Sequence, residues 1–346
     1  MISDNTSPSQ QSEPNNDGQY PLVIRNLIKH YRGRSAPAVD NVSFKVHPGE
    51  FHAFIGANGA GKTTTIKSII GAYTKYKGEI LVYGHVNSSL AAKRFLGYVP
   101  EIARFPPRIS LFRFLLTMSI LSGMSFKEGR IRVEEVIAQQ GLSALKTKSP
   151  NSFSSGQKKK VLLSQALLHN PKVIVMDEPA ANLDPRARLD FFDTLKDLQK
   201  GGVAIIISSH ILSEVGKYAT GVSIIDGGKI VLTGTIDEIK KNMAISYEVQ
   251  TNDQKALEKL LNSRHISFTF TEQQRIKFDL TSDEEMKPIQ QEIAQSGLII
   301  TYIARTGGDL EELYRKYVLK GSVDTMSEPI MSAKARKKLE RQMNHA

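Results

Sequence analysis

Short apolar runs rich in β-branched and aromatic residues alternate with stretches of helical periodicity between residues 21 and 243. Two of these runs, KVIVMD and VAIIIS, are almost continuously apolar, as parallel strands covered on both faces are. An alternation of this kind predicts an α/β domain over 21–243, in which helices pack on a sheet.

Two segments depart from this alternation. From 102 to 150 the strand signal is lost and FRFLLTMSIL and RVEEVIAQQGL show helical spacing, which predicts an inserted helical subdomain at about 102–165. The stretch VSIIDGGKIVLTG at 222–234 is typical of a β-hairpin that turns at its DGG tripeptide.

A different order of elements begins near residue 244. The runs ISYEVQ, ISFTFTE, RIKFDLT and LIITYIA predict strands, while DQKALEKLL and EMKPIQQEIAQ predict helices. The resulting order, βαββαβ, is that of ferredoxin-like domains, so we expect a small α+β accessory domain at 244–320.

The two ends of the chain differ from the rest. Residues 1–20 are rich in Ser, Pro, Asn, Gln and Asp, and we predict a disordered tail because they offer too little apolar surface to offset ordering entropy. Residues 321–346 form a basic tail, and the net charge of +11 invites nucleic acid or an anionic membrane surface as a partner. Five basic side chains cluster in this tail: Lys334, Arg336, Lys337, Lys338 and Arg341.

Composition excludes several classes of protein. With 346 residues, 40% hydrophobic and 23% charged, the chain is typical of a soluble globular protein of two domains. The absence of cysteine excludes disulfide and thiolate chemistry. The longest apolar stretch, at 109–124, is too short to span a membrane, and the N-terminus lacks a secretory signal, so we expect a cytosolic location.

The glycine-rich stretch GANGAGKTTT, between apolar FHAFI and IKSII, carries the first chemical signal. Its GxxxxGKT spacing is that of a phosphate-binding loop, in which glycines let successive backbone N–H groups point at an anion. The strand–turn–helix context disfavours a surface turn with chance glycines. Lys62 would reach the phosphates and the Thr63 hydroxyl would ligate Mg²⁺. The predicted nucleotide-binding residues here are Gly56, Asn58, Gly59, Ala60, Gly61, Lys62, Thr63 and Thr64.

KVIVMDEP places two carboxylates at the end of a predicted buried strand. Asp177 is suited to hold Mg²⁺, directly or through water. Glu178 would then lie near the γ-phosphate as a general base, a role typically worth ~10²- to 10⁴-fold in rate. A solvated strand end is the alternative, and the phosphate loop upstream disfavours it.

Farther along, the Ser/Gly-rich turn SFSSGQ opens a predicted helix, whose N–H groups form a second anion site.

This second turn resembles the signature sequence of the ATP-binding cassette (ABC) family, which corresponds here to Phe153, Ser154, Ser155, Gly156 and Gln157. The resemblance covers residues 22–235 and implies an ABC-type P-loop NTPase fold. It also implies a head-to-tail dimer, homodimeric or heterodimeric, in which each ATP lies between the phosphate loop of one chain and the signature of the other.

Further residues match family elements in the expected order. Tyr31 in KHYRG matches the aromatic residue that stacks on adenine, and His210 matches the switch histidine that contacts the γ-phosphate. Taken singly, Tyr31 is more often a packed or surface tyrosine, and His210 is equally typical of a helix start. The loop that crosses the dimer interface corresponds to Ala181, Asn182, Leu183 and Asp184.

Two positions depart from the family pattern. Glu101 in GYVPE replaces the glutamine that senses Mg²⁺, and although a carboxylate still ligates Mg²⁺, it adds charge beside Asp177 and Glu178. Ser155 replaces a glycine, and its N–H can bind phosphate only if its backbone avoids the conformations reserved for glycine. A similar YxPE occurs in exporter-type cassettes with an extra C-terminal domain, which the whole chain resembles best.

The resemblance implies the ATP-hydrolysing subunit of a transporter, an exporter by subgroup, at the cytoplasmic face of the membrane. A separate transmembrane subunit would insert a short helix into a groove formed by 102–150 and the Glu101 loop. We expect DLEELYRKYVL, with Leu310 and Leu313 at helical spacing, to cover the accessory sheet or, preferably, to pack on the second subunit and tie the dimer together.

Two alternatives remain. The first is an ABC-type ATPase acting on nucleic acid or ribosomes, which is disfavoured because the chain has one phosphate loop and no heptad run before the signature. The second is a binding module without hydrolysis, which Glu178 disfavours. The basic tail is compatible with RNA and anionic lipid alike.

Overall fold

The computed structural model describes residues 17–209, 212–241, 245–306 and 310–319. The strands are β1 (Leu22–Lys29), β2 (Val39–Val46), β3 (Phe51–Ile55), β4 (Lys77–Val82), β5 (His85–Val86), β6 (Leu96–Val99), β7 (Val173–Met176), β8 (Ala204–Ser209), β9 (Gly221–Asp226), β10 (Lys229–Thr235), β11 (Ile245–Thr251), β12 (Phe268–Phe270), β13 (Ile276–Leu280) and β14 (Ile300–Thr306). The helices are α1 (Lys62–Ile69), α2 (Leu90–Phe95), α3 (Leu111–Leu121), α4 (Phe126–Gln139), α5 (Ser155–Leu167), α6 (Pro185–Lys200), α7 (Leu212–Val215), α8 (Ile236–Lys241), α9 (Gln254–Ser263), α10 (Met286–Gln295) and α11 (Leu310–Tyr314), which continues as a π-helical turn, Arg315–Leu319.

A six-stranded sheet lies at the centre of the first domain, in the order β10-β9-β3-β8-β7-β6. Its neighbouring strands are parallel except for β9 and β10, which form the predicted hairpin with Asp226 opposite Lys229. Every residue of β7 and β8 is buried, so the prediction of strands covered on both faces is confirmed. A second, antiparallel sheet, β2-β1-β4-β5, shares an apolar core with it.

Helices cover both faces of the central sheet. Side chains alternate along β7, so that Ile174 and Met176 enter one apolar core while Val173 and Val175 enter another. Helices α3, α4 and α5 contribute to the first core, and α1 contributes to the second. These three helices therefore share a core with the sheet.

The C-terminal unit has the predicted order of elements from β11 to β14. Its strands form an antiparallel sheet in the order β12-β13-β11-β14, and α9 and α10 bury their apolar sides against one face. The assignment of this unit as ferredoxin-like stays a prediction.

The other face of this sheet carries mostly polar side chains, together with Tyr302 and Ala304 of β14. Residues directly opposite each other share a face, and the register places Ser246 opposite Asp279 and Glu248 opposite Lys277. The Ser246 hydroxyl donates a hydrogen bond to the Asp279 carboxylate. A face of this composition does not require an apolar cover.

Residues 310–319 pack on the first domain. Leu310, Leu313 and Val318 are buried in the core that contains α3 to α5, α11 lies against α7, and the π-helical turn lies against β10. The expectation that this segment covers the accessory sheet is therefore wrong, and its packing on a second subunit stays a prediction. The physical reason is that its apolar stripe finds apolar surface on the first domain, whereas the open face of the accessory sheet is mostly polar.

Some sequence predictions concern residues outside the described ranges. Residues 1–16, residues 321–346 and His210 lie outside them. The end of the predicted disordered tail is nevertheless ordered, because Asp17–Gln19 form a 3₁₀ turn whose aspartate accepts a hydrogen bond from Arg25. Among the helices of the described ranges, none is long and apolar enough to cross a membrane.

Candidate functional site

The glycine-rich loop connects β3 to α1, and two of its glycines are required by close packing. A Cβ atom on Gly56 would lie 2.4 Å from the Ile225 carbonyl oxygen, and one on Gly61 would lie 2.7 Å from the Ala38 carbonyl oxygen. Gly61 also has φ = 113°, a left-handed conformation that disfavours other residues. The loop is thus held against neighbouring strands at the start of α1.

Lys62 lies inside this loop. Its Nζ donates hydrogen bonds to the carbonyl oxygens of Gly56 at 2.8 Å and Ala57 at 3.2 Å. It also lies 3.4 Å from Glu178 Oε1, and it is 6% exposed. A buried ammonium surrounded by loop backbone at a helix N-terminus can bind the phosphates of a nucleotide.

A pair of hydroxyl groups orients the Asp177 carboxylate at the end of β7. Thr63 Oγ1 donates to Asp177 Oδ1 at 3.1 Å, and Ser208 Oγ donates to the same oxygen at 2.9 Å. Because the Thr63 hydrogen points at the carboxylate, the oxygen lone pairs of Thr63 remain available to a cation. The described residues contain no cluster of three or more His, Cys, Asp or Glu side chains suited to a metal. This sparse oxygen set fits Mg²⁺, which keeps several waters and binds phosphate oxygens as well.

Ser208 also holds the backbone of the adjoining carboxylate, Glu178. The Glu178 N–H donates to Ser208 Oγ at 2.9 Å, and Glu178 has φ = 43°, which is uncommon for a residue other than glycine. Sequence reasoning missed Ser208. Its available signal was its position at the end of a buried strand, two residues before the predicted switch histidine.

A cavity of about 290 Å³ lies beside Lys62, Thr63 and Glu178, whereas Asp177 and Ser208 do not line it. It brings together the phosphate loop, the Glu101 loop and the segment that follows β7. The residues lining it are Asn58, Gly59, Lys62, Thr63, Thr64, Glu101, Glu178 and Ala181.

Tyr31 reaches this site through Thr64. Its hydroxyl lies 3.0 Å from Thr64 Oγ1, its ring meets that of Tyr73 edge to face at 6.0 Å, and Lys29 Nζ lies 5.8 Å from its centroid. Burial acts to raise the pKa of the Tyr31 phenol, but hydrogen bonds with Thr64 and Tyr73 and the charges of Lys29 and Lys67 lower the pKa overall. Tyr31 therefore does not line the cavity but contacts it through Thr64, and Tyr73, which sequence reasoning missed, packs against the Tyr31 ring.

The signature residues lie at the start of α5 and do not line this cavity. Ser154 caps the helix by accepting a hydrogen bond from the Gln157 N–H at 3.3 Å, and Gln157 Oε1 accepts one from the Ser154 N–H at 3.1 Å. Ser155 is the first residue of the helix and has no positive φ, so serine is tolerated where the family has glycine. The prediction that the N-terminal amides of α5 bind an anion stays a prediction.

Asp184 occupies a helix cap and does not line the cavity. It precedes α6, and its Oδ1 accepts a hydrogen bond from the Ala187 N–H at 2.9 Å. The two caps are close together, since a Cβ atom on Gly156 would lie 3.0 Å from Ala187 Cβ. The start of α6 and the signature turn therefore form one surface.

Comparisons with known proteins agree with this geometry. The ABC transporter family profile matches residues 39–181. The chain is 37% identical to a putative ABC transporter ATP-binding protein of Mycoplasma pneumoniae, over 90% of this chain and 96% of that protein. It is 30% identical to the lipopolysaccharide export system ATP-binding protein LptB of Haemophilus influenzae, over 63% of this chain and 92% of LptB.

A solved structure of an ATP-binding subunit of an ABC transporter superposes on 64% of this chain and 92% of its own, with a TM-score of 0.57 and 30% identity. The resemblance in sequence thus extends to the fold, and all residues that line the cavity lie within the 39–181 stretch that the family profile matches. This chain belongs to the ABC transporter ATP-binding protein family, whose members bind and hydrolyse ATP.

Proposed function

We propose that two copies of the site described above, each shared between two chains, power an ABC exporter with a separate membrane subunit. The observation that carries this proposal is the separation of two predicted anion sites within one chain. The cavity at Lys62 is lined by the phosphate loop, Glu101 and Glu178, while the helix start at Ser154 faces elsewhere. A second chain, homologous or identical, would bring its own α5 amides to this cavity.

The roles within one such site follow from the contacts. The amides of the Gly56–Gly61 loop and Lys62 hold the phosphates, and Tyr31 contacts the adenine. Mg²⁺ would be held by Thr63, Asp177 and Glu101, where it neutralises phosphate charge.

Glu178 acts as general base in this scheme. Its side chain is 13% exposed, so water reaches it, and Ser208 fixes its backbone. It takes the proton of the water that attacks the γ-phosphate, so that ATP and water give ADP and phosphate. His210, the predicted switch histidine, lies outside the described residues, and its contact with the γ-phosphate stays a prediction.

The helical segment supports a membrane partner. Ile102, Leu121 and Phe126 are large apolar residues that are 59%, 75% and 60% exposed, close in sequence to the Glu101 loop and the α3–α4 turn. These side chains are therefore available to a partner at two places along the helical segment. A short helix of the membrane subunit would bind there and place the chain peripherally at the cytoplasmic face of the membrane. Export as the direction is supported by the YxPE motif and by the likeness to LptB.

The nucleic-acid alternative receives less support. Between Lys62 and Ser154 the longest helix, α4, has 14 residues, which leaves no room for a long coiled coil. Sheets that bind single-stranded RNA present aromatic side chains for base stacking. Here the middle strands present Ser246, Glu248 and Lys277 on the open face, and the centroid of the Tyr302 ring on the neighbouring strand lies 3.5 Å from the Arg275 guanidinium carbon.

Mixing two inactive variants tests the shared site. Lys62→Ala damages the phosphate loop and Ser154→Arg damages the signature, so a mixed dimer has one site damaged twice and one intact. We expect ATP hydrolysis to reappear on mixing. The control replaces the second chain with one carrying both substitutions, which leaves no intact site. Hydrolysis by isolated monomers, independent of protein concentration and without recovery on mixing, would refute the proposal.

A further inference from the structure

Lys159 is a buried lysine that connects the signature helix to the Glu101 loop. It lies in α5, one turn after the signature turn, and is 4% exposed. Its Nζ donates a 3.0 Å hydrogen bond to the Pro100 carbonyl oxygen and a second hydrogen bond to the Glu101 carbonyl oxygen. These two bonds hold the backbone that presents Glu101 to the nucleotide cavity.

The surroundings of Lys159 are acidic. Burial lowers the pKa of the Lys159 ammonium to about 8, and the negative charges of Glu101 and Asp177 oppose this shift. Burial, with smaller contributions from Asp177 and Glu101, raises the pKa of the nearby Tyr98 phenol to about 12. Glu101 and Asp177 therefore act electrostatically on the same small region that contains Lys159.

Lys62 contacts a carboxylate of this group, whereas Lys159 contacts the backbone of the Glu101 loop. Lys62 Nζ lies 3.4 Å from Glu178, whereas Lys159 is bound to the Glu101 backbone. Burying an ammonium is unfavourable unless opposite charges lie close by. Glu101, at the position where the family has an uncharged glutamine, supplies such a charge.

We propose that Lys159 is the positioning residue that holds the Glu101 loop at the nucleotide cavity and offsets the negative charge that Glu101 adds there. The inference rests on the proposed role of the Glu101 loop in ATP hydrolysis. It explains how a glutamate is accommodated beside Asp177 and Glu178. It also means that α5, whose start would contact a second chain, is hydrogen-bonded to the Glu101 loop of its own chain.

A charge-removing substitution in two backgrounds tests the electrostatic part. Lys159→Gln keeps an N–H donor for the loop carbonyls but removes the positive charge. In the parent chain it should lower kcat by about tenfold while the KM for ATP changes little, a coupling within the range measured for contacting residues. In the Glu101→Gln background, where the loop carries no charge to offset, the same substitution should lower kcat by less than about threefold.

Three further variants separate this role from simple packing. Lys159→Arg keeps the charge and should retain most of the kcat, whereas Lys159→Met should be the most impaired. Lys160→Met, on the same helix but without the loop contacts, is the matched control and should behave as the parent. ATP binding and the thermal midpoint are measured for each variant, so that a folding defect is recognised.

The proposal is overturned if Lys159→Gln lowers kcat by the same factor in both backgrounds, or has no effect in the parent. Failure of the shared-site model would appear elsewhere, as absence of recovery when Lys62→Ala and Ser154→Arg chains are mixed. The two results are therefore distinguishable.

Discussion

The nucleotide cavity and the C-terminal segment show what two kinds of sequence pattern encode. Lys62, Glu101 and Glu178 are far apart in the chain, yet they line one cavity because each follows a strand of the same sheet. Residues 310–319 form an equally clear amphipathic helix, but their apolar side chains enter the core of the first domain and not the unit that precedes them. A motif at a strand end thus predicts where its chemistry lies, whereas an apolar stripe predicts burial without predicting the partner.

Glu178→Gln tests the predicted chemistry of the nucleotide cavity and has the largest expected effect on activity. The amide keeps the shape but cannot accept the proton of water, so turnover should fall by on the order of 10²-fold or more. ATP binding should persist, and closed dimers should accumulate with ATP in light scattering. Glu248→Gln, on the accessory sheet, is the matched control and should hydrolyse ATP as the parent does. Parent-rate hydrolysis by Glu178→Gln would remove this residue from the mechanism.

Leu313→Ala tests whether residues 310–319 stabilise the first domain. Leu313 is fully buried in the first domain, so the substitution should lower the free energy of unfolding of that domain by about 2–5 kcal/mol. Denaturant unfolding followed by nucleotide binding reports on the first domain. Leu257→Ala, at an equally buried position in the C-terminal unit, is the matched control and should leave this transition in place. If both substitutions shift the unfolding transition of the first domain equally, the cores of the first domain and of the C-terminal unit are not independent.

Ser208→Ala tests a contact within the site that the motifs did not reveal. It removes a buried hydroxyl that orients Asp177 and pairs with the Glu178 N–H, a loss of about 1–3 kcal/mol. We expect a lower kcat and a higher Mg²⁺ concentration for half-maximal activity. Ser164→Ala, which removes a buried hydroxyl within α5, is the control for packing alone. An unchanged Mg²⁺ requirement would limit Ser208 to a structural role.

Sequence reasoning reached those features that depend on local pattern. The phosphate loop, the carboxylates after β7, the central strands and the order of elements from β11 to β14 all follow from periodicity or spacing. Ser208 and Lys159 could not be found in this way, because their importance comes from neighbours in other parts of the chain. The packing of Leu313 was missed for a related reason, since helical spacing does not specify which core receives a helix.

Substitution of His169 has the smallest expected effect, a change in how the stability of the first domain depends on pH. Burial lowers the pKa of its imidazole below the ordinary value of 6.5, a hydrogen bond with the Leu96 carbonyl oxygen opposes the shift, and the charge of Arg132 adds to it. The unfolded chain then binds the proton more readily than the folded chain. Stability from this residue is therefore complete above about pH 6.5 and is lost as the pH falls through the lower folded-state pKa.

His169→Gln removes the titrating group, so the free energy of unfolding of the first domain should fall less steeply from pH 7 to pH 5 than in the parent. Denaturant titrations across this range measure the slope, and equal slopes for the two proteins would show that His169 is not the source of acid sensitivity.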